Sequence, residues 1–242
     1  MLPAGAITEA AIAEAAALLA PGDIIVDGGN ADWRDSARRG AALAQRGLHF
    51  VDVGVSGGVW GLENGYGLMF GGPDAALEPL RPILAALAPA PDAGWVHCGP
   101  TGSGHYAKMV HNGIEYGLMQ AYAEGFALLA ARVDLHIDVA AVAEAWRHGT
   151  VVRSWLLDLA AGVLKDPAAL AAAAPVVADS GEGRWTLREA IELGVPLPTI
   201  GAALNARLAS QGRADYGSRV LARLRQAFGG HAVPAGKPGA RG

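Results

Sequence analysis

Strand signals in this chain stop at Gly99-Pro100, and that switch limits the possible folds more than any other feature. Before it, short apolar runs alternate with helical patterns. Asp23–Asp27 reads as a buried strand ending in Gly28-Gly29-Asn30, and His49–Val55 as a second that runs into Ser56–Gly61. Gly67–Gly71 and Trp95–Cys98 complete the series. The spacing predicts helices from Thr8, taken as the cap, to Leu19, from Asp32 to Arg46, and from Pro73 to about Leu87. Such alternation implies an α/β unit with a largely parallel sheet. After Pro100 only helical patterns follow: one from Ser103 to about Arg132, then 138–147, 151–163, 186–193, 199–210 and 214–226, with Asp179–Arg184 as a loop. The fold class expected is α/β plus all-α. Residues 1–100 form the sheet domain, 101–233 a mostly helical domain, and 234–242 a tail whose Pro- and Gly-rich composition suits disorder.

Within the long helix, Lys108, His111, Asn112 and Glu115 fall at i, i+3, i+4 and i+7 and share one face. Ala107, Met109, Val110, Ile114, Leu118 and Met119 surround them with side chains that suit burial. A polar stripe on an otherwise apolar helix reverses the usual surface-helix pattern. It fits either an exposed Lys–Glu face or the lining of a substrate cleft.

Composition narrows the function classes. Of 242 residues, 52% are hydrophobic and the net charge is −4, which gives no electrostatic footprint for nucleic acid or an anionic membrane. Cys98 is the only cysteine, so no internal disulfide forms, in keeping with a reducing cytoplasmic setting. No apolar run approaches the roughly 20 residues of a membrane span, and Met1–Gly5 lack the build of a signal peptide. His97, His105, His136 and His148 show no paired ligand spacing; no metal site is expected.

A dinucleotide-binding half normally opens with strand, G-x-G-x-x-G and helix. No such motif occurs here, and Leu2–Gly5 looks like the end of a βα loop whose strand lies upstream. The chain is therefore expected to be an N-terminally shortened version of a longer protein.

Four blocks carry a resemblance: Asp27-Gly28-Gly29-Asn30, Asp52–Gly58 (DVGVSGG), Lys108–Tyr116 (KMVHNGIEY) and Phe228-Gly229-Gly230-His231. In this order they resemble the 6-phosphogluconate dehydrogenases, the decarboxylating enzymes of the pentose phosphate pathway, and their shorter bacterial-type branch in particular. The likeness runs over roughly residues 3–233 and omits the family's first mononucleotide-binding half. Some of it has a physical reading of its own. Asn30 and Ser56 follow strands, where open α/β sheets bind ligands. Gly57 and Gly58 allow backbone N–H groups to approach a ligand oxygen, or serve simply as turn residues. Arg207, Arg225 and His231 are candidate cations for phosphate or carboxylate.

The resemblance implies a truncated NAD(P)-binding, Rossmann-like domain followed by the family's helical domain. It also implies oxidation of 6-phosphogluconate at C3, loss of CO2 and protonation to ribulose 5-phosphate, with NAD or NADP as hydride acceptor. Lys108 would be base and then acid, Glu115 the acid that protonates carbon, and Asn112 the residue that orients both Lys108 and the substrate. A lysine suits that role only if burial or neighbouring charge disfavours its ammonium form. Asn30, Ser56, Gly57, Gly58, His111, Tyr116, Ser180, Arg207, Arg225 and His231 would hold the substrate, and Pro3, Ala4 and Asn30 would touch the cofactor. Ser180 and Glu182 stand where longer members place a lysine and a threonine, and Glu182 is expected to face away from the phosphate. A homodimer or homotetramer is implied, with the C-terminal segment, Arg225 and His231 included, completing a neighbour's site. Two other readings stay open: a β-hydroxyacid dehydrogenase with another substrate, and an inactive fragment or structural subunit.

Overall fold

The computed structural model describes residues 1–229 and 232–234 and divides into two units, the first Met1–Gly113, the second beginning at Ile114. In the first, strands β1 (Ile24–Asp27), β2 (His49–Ser56), β3 (Gly67–Gly71) and β4 (Trp95–Gly99) pair in that order. β1 pairs with β2 and β3 with β4 in parallel, but β2 and β3 run antiparallel, with Asp52 opposite Gly71 and Ser56 opposite Gly67. Two of the three pairings are parallel, so the sheet is largely parallel as expected, with one antiparallel pairing at its centre. A parallel crossover needs a dozen or more residues. The link between β2 and β3 holds only a 3-10 turn at Gly58–Trp60 and the one-turn helix α3 (Gly61–Asn64).

The helices around the sheet are α1 (Ala6–Leu18), α2 (Trp33–Ala44) and α4 (Leu77–Leu87), with a 3-10 turn at Asp74–Ala76 leading into α4. Thr8 does not cap α1: it lies inside the helix, and its hydroxyl donates to the Pro3 carbonyl at 2.8 Å. Asp32 does cap α2, accepting from the Arg34 N–H at 3.0 Å. Alternation along β2 sorts the core. Val51 and Val53 pack with Leu80 and Leu84 of α4. Phe50, on the opposite face, packs with Ala16 of α1 and Leu43 of α2. The even-numbered residues that follow, 52, 54 and 56, share Phe50's face.

The second unit is helical. α5 (Ser103–Ala131) begins in the first unit and continues past Gly113; α6 (Val139–Trp146), α7 (Trp155–Leu164), α8 (Pro167–Ala172), α9 (Glu182–Leu193), α10 (Pro198–Ser210) and α11 (Asp215–Gly229) follow. Phe126, Ala143, Leu157 and Ala161 form one core, and Tyr116, Ala203 and Leu204 another. Several details depart from expectation. α7 starts at Trp155 because Ser154 accepts from the Leu157 N–H at 3.1 Å, leaving 151–153 outside it. α8 and the 3-10 turn Val133–Leu135 were not anticipated; Asp166 caps α8 with Pro167 at its first position. α9 begins at Glu182 and so takes in the end of the expected loop. The expected tail lies, apart from Pro234, outside the described residues. Among the described residues no helix is long and apolar enough to cross a membrane.

Candidate active site

The stripe on α5 faces inward. Lys108 is 6% exposed and Asn112 9%, whereas Ile114 is 53% and Leu118 43% exposed. An exposed Lys–Glu face is thereby excluded at Lys108, and the expectation that Ile114 and Leu118 are buried is corrected. Burying a lysine and an amide while leaving two aliphatics in solvent opposes hydrophobic sorting, a cost that suits a site rather than a core.

β2 is what imposes this orientation. A Cβ on Gly54 would sit 2.3 Å from the Lys108 Cβ, and one on Gly104 would sit 2.6 Å from the Asp52 carbonyl oxygen. Two glycines therefore let α5 lie against the strand almost backbone to backbone. Two residues beyond Gly54 on the same face, Ser56 Oγ is 3.4 Å from His111 Nε2. His111 Nδ1 is 3.4 Å from Lys108 Nζ and 3.1 Å from Asn112 Oδ1. A single ring nitrogen cannot both accept from Lys108 and donate to an amide oxygen, so only one of these two contacts is a hydrogen bond at a time. Lys108, His111, Asn112 and Ser56 thus form one contiguous group. Gly57 and Gly58 follow at φ +131° and +52°, and a Cβ on Gly58 would meet nothing within 4 Å. The backbone there is open to a ligand.

At the end of β1, Asn30 is exposed. Its loop is tightly held: the Gly29 N–H donates to Asp27 Oδ1 at 3.0 Å, and a Cβ on Gly29 would lie 2.8 Å from the Leu2 carbonyl oxygen. Pro3 and Ala4, both exposed, therefore follow a residue in contact with this loop. Buried Asp27 faces Arg39 Nη1 at 3.5 Å, and Arg39 Nε donates to Glu9 at 2.8 Å. This supporting chain was not anticipated; an arginine on the helix after an acidic strand end was its only signal.

In the second unit Tyr116 is 5% exposed and its hydroxyl lies 3.4 Å from Ser180 Oγ. The Arg207 guanidinium stands 3.6 Å from the Tyr116 ring centroid and donates to the Ala178 carbonyl at 2.9 Å. Tyr116, Ser180 and Arg207 are thus brought together. Glu182 is buried and accepts from Ser180 Oγ at 2.5 Å, so its carboxylate is turned toward this group's hydroxyls rather than to solvent. Glu115 is half-buried. Arg225 is exposed on α11, and no hydrogen bond or ion pair joins it to Tyr116, Ser180 or Arg207 among the described residues. His231 lies outside them. A cavity of about 960 Å³ in the second unit holds none of the expected site residues; its lining is mostly apolar, with Tyr122, Phe126, Val139, Leu156 and Ala160, and includes Asp138 and Lys165.

Residues 1–99 match the family described as the NAD binding domain of 6-phosphogluconate dehydrogenase, and residues 104–230 match the 6-phosphogluconate dehydrogenase C-terminal domain. The chain belongs to the 6-phosphogluconate dehydrogenase family. Within that family it is 43% identical to the NAD(+)-dependent decarboxylating 6-phosphogluconate dehydrogenase of Haloferax volcanii, over 96% of this chain and 77% of the relative. It is 41% identical to the decarboxylating enzyme of Synechococcus elongatus, over 89% of this chain but 48% of that one. Among solved structures, the Plasmodium falciparum 6-phosphogluconate dehydrogenase, studied with NADP+ and with 6-phosphogluconate, superposes with a TM-score of 0.80 at 29% identity, covering 99% of this chain and 52% of that one. A 3-hydroxyisobutyrate dehydrogenase from Salmonella typhimurium gives 0.66 at 25% identity, covering 81% and 67%.

Proposed function

We propose that the chain carries the acid–base and sugar-acid part of an NAD(P)-dependent oxidative decarboxylation of 6-phosphogluconate to ribulose 5-phosphate and CO2. The observation that carries this is the buried Lys108–His111–Asn112 group, held against Ser56, in a chain of this family. Lys108 takes the proton of the C3 hydroxyl, a role that burial of an ammonium favours. The same group then donates a hydrogen bond to the new ketone, drawing electrons from the breaking C–C bond as CO2 leaves. Glu115 returns a proton to carbon and completes the product. Asn112 and His111 orient Lys108, while Ser56 and the Gly57-Gly58 main chain hold the sugar acid. Tyr116, Ser180 and Arg207 bind its phosphate, Arg207 supplying the charge. The exposed Asn30 amide and the Pro3-Ala4 main chain fit one end of a nicotinamide dinucleotide, which when bound accepts hydride from C3. Arg225 and His231 serve a neighbouring subunit's site in a homodimer or homotetramer; recovered activity on mixing Lys108→Ala with Arg225→Ala protein supports this, and none opposes it.

The test is turnover of 6-phosphogluconate with NAD+ and with NADP+, following reduced cofactor and CO2 together. Equal yields of the two support the proposal. Faster turnover of 3-hydroxyisobutyrate or another non-phosphorylated hydroxy acid refutes it in favour of the wider β-hydroxyacid dehydrogenase reading. A folded chain inert to all of these would be a fragment or structural subunit.

A further inference from the structure

Lys108 must be placed to within a fraction of an ångström to exchange protons with substrate, yet the residue before its helix is Gly102, which has no side chain to cap it. Ser103, the first residue of α5, has a buried hydroxyl with no hydrogen-bond partner among the described residues. Asp52, about fifty residues earlier on β2, supplies what is missing. It is 0% exposed, and its two oxygens accept from the Gly102 N–H at 2.6 Å and the His105 N–H at 2.7 Å. These are among the N–H groups that the start of a helix leaves without intrahelical partners. A carboxylate there also meets the positive end of the helix dipole.

We infer that Asp52 is a positioning residue for Lys108: it locks the first turn of α5 to strand β2 and so sets where the lysine amine lies. The inference rests on the reading of Lys108 as the base and acid of the reaction. Asp52, Gly54 and Ser56 are alternate residues on one face of β2 and meet successive turns of α5. Asp52 holds the backbone at 102 and 105, Gly54 abuts the Lys108 Cβ, and Ser56 reaches His111. Asp52 stops the helix sliding along its axis. The His105 side chain stops it turning, because its Nδ1 lies 2.7 Å from Ser36 Oγ in a fully buried pair. Lys108 leaves the helix one turn beyond both restraints.

The experiment uses Asp52→Asn, which keeps the shape but sets an amide N–H₂ against a backbone donor, with Asp52→Glu as the second variant. The chain has three lysines, so replacing Lys165 and Lys237 with arginine leaves Lys108 alone to be followed by reductive ¹³C-methylation and NMR titration. In folded Asp52→Asn protein the turnover number is expected to fall on the order of 100-fold, the loss associated with misplacing a reacting group by about 1 Å. The KM for 6-phosphogluconate changes by less than about threefold, and the Lys108 titration and the pH limb of turnover move together. A lower melting temperature with unchanged turnover, pH limb and Lys108 titration would make Asp52 purely structural and overturn the inference. So would failure of both variants to fold. If the wild-type chain does not turn over 6-phosphogluconate, the functional reading has failed, and the Lys108 titration still decides whether Asp52 positions it.

Discussion

A methyl group placed on Gly54 would test the fit of α5 to β2. The added carbon would lie 2.3 Å from the Lys108 Cβ, 2.9 Å from the Gly104 carbonyl oxygen and 3.0 Å from the Lys108 Cγ. Ordinary contact begins near 3.4 Å, and Cβ and carbonyl atoms are fixed to the helix backbone. No rotamer change relieves the clash, and α5 must back away by about 1 Å, carrying Lys108 with it. Overpacking of this kind costs about 1–3 kcal/mol. For a chain of this length about 2 kcal/mol lowers the melting temperature by roughly 4–8 °C. A displacement of about 1 Å at a reacting group costs on the order of 100-fold in turnover. Gly67→Ala is the control: it lies on the same sheet, and its Cβ would meet Ser56 only at 3.7 Å. Thermal melts and steady-state turnover of 6-phosphogluconate are compared for both. Gly54→Ala protein with more than about a third of wild-type turnover would refute the idea that this close approach sets the position of Lys108.

Other perturbations have separate readouts. Arg207→Ala is expected to raise the KM for 6-phosphogluconate roughly 10–100-fold, the worth of one or two hydrogen bonds to a charged group, with the turnover number nearly unchanged; the opposite split would remove Arg207 from the phosphate. Hydrogen bonds from Arg38 and then Arg39 hold the Glu9 carboxyl at about 2, below the usual 4.5. Its folded value is depressed, so its contribution to stability is fully present above pH 4.5 and is lost as pH falls toward 2. Melting temperatures of wild type and Glu9→Gln should therefore converge over that interval, by a small amount because Glu9 is nearly half exposed and screened by solvent; a gap independent of pH would contradict this. Burial first, and the Asp52 charge second, push the Cys98 thiol up. Alkylation of Cys98 by iodoacetamide near pH 8 should be slow in the folded chain and faster in urea, and equal rates would show the thiol is not so held.

Much of this arrangement can be read in the sequence because local periodicity carries it. All four strands begin and end within one residue of their apolar runs, and α5 runs from Ser103 to Ala131 as its helical pattern requires. The polar stripe at Lys108, His111 and Asn112 is visible from helical spacing alone, and Ser56 is found beside it. What spacing does not carry is the direction of a neighbour. The antiparallel pairing of β2 with β3 follows from a link too short for a parallel crossover. Thr8 suits a cap by residue type but points back to Pro3. Ile114 and Leu118 are apolar yet exposed, because the face of α5 turned inward is the one that carries the lysine. Asp52 gives no local sign of capping a helix about fifty residues away. Nor could spacing show that Glu182, two residues after Ser180, turns back to accept its hydroxyl.

The most direct measurement is the turnover of Lys108→Met protein, a substitution of similar length that removes the proton-carrying amine. Wild-type protein should yield reduced cofactor and CO2 in equal amounts from 6-phosphogluconate. Lys108→Met should lose at least about 100-fold in turnover, the lower range of general acid–base contributions, while still binding 6-phosphogluconate within a few-fold of wild type. A folded Lys108→Met protein that keeps more than about a tenth of the activity would contradict the assignment of Lys108 as the base.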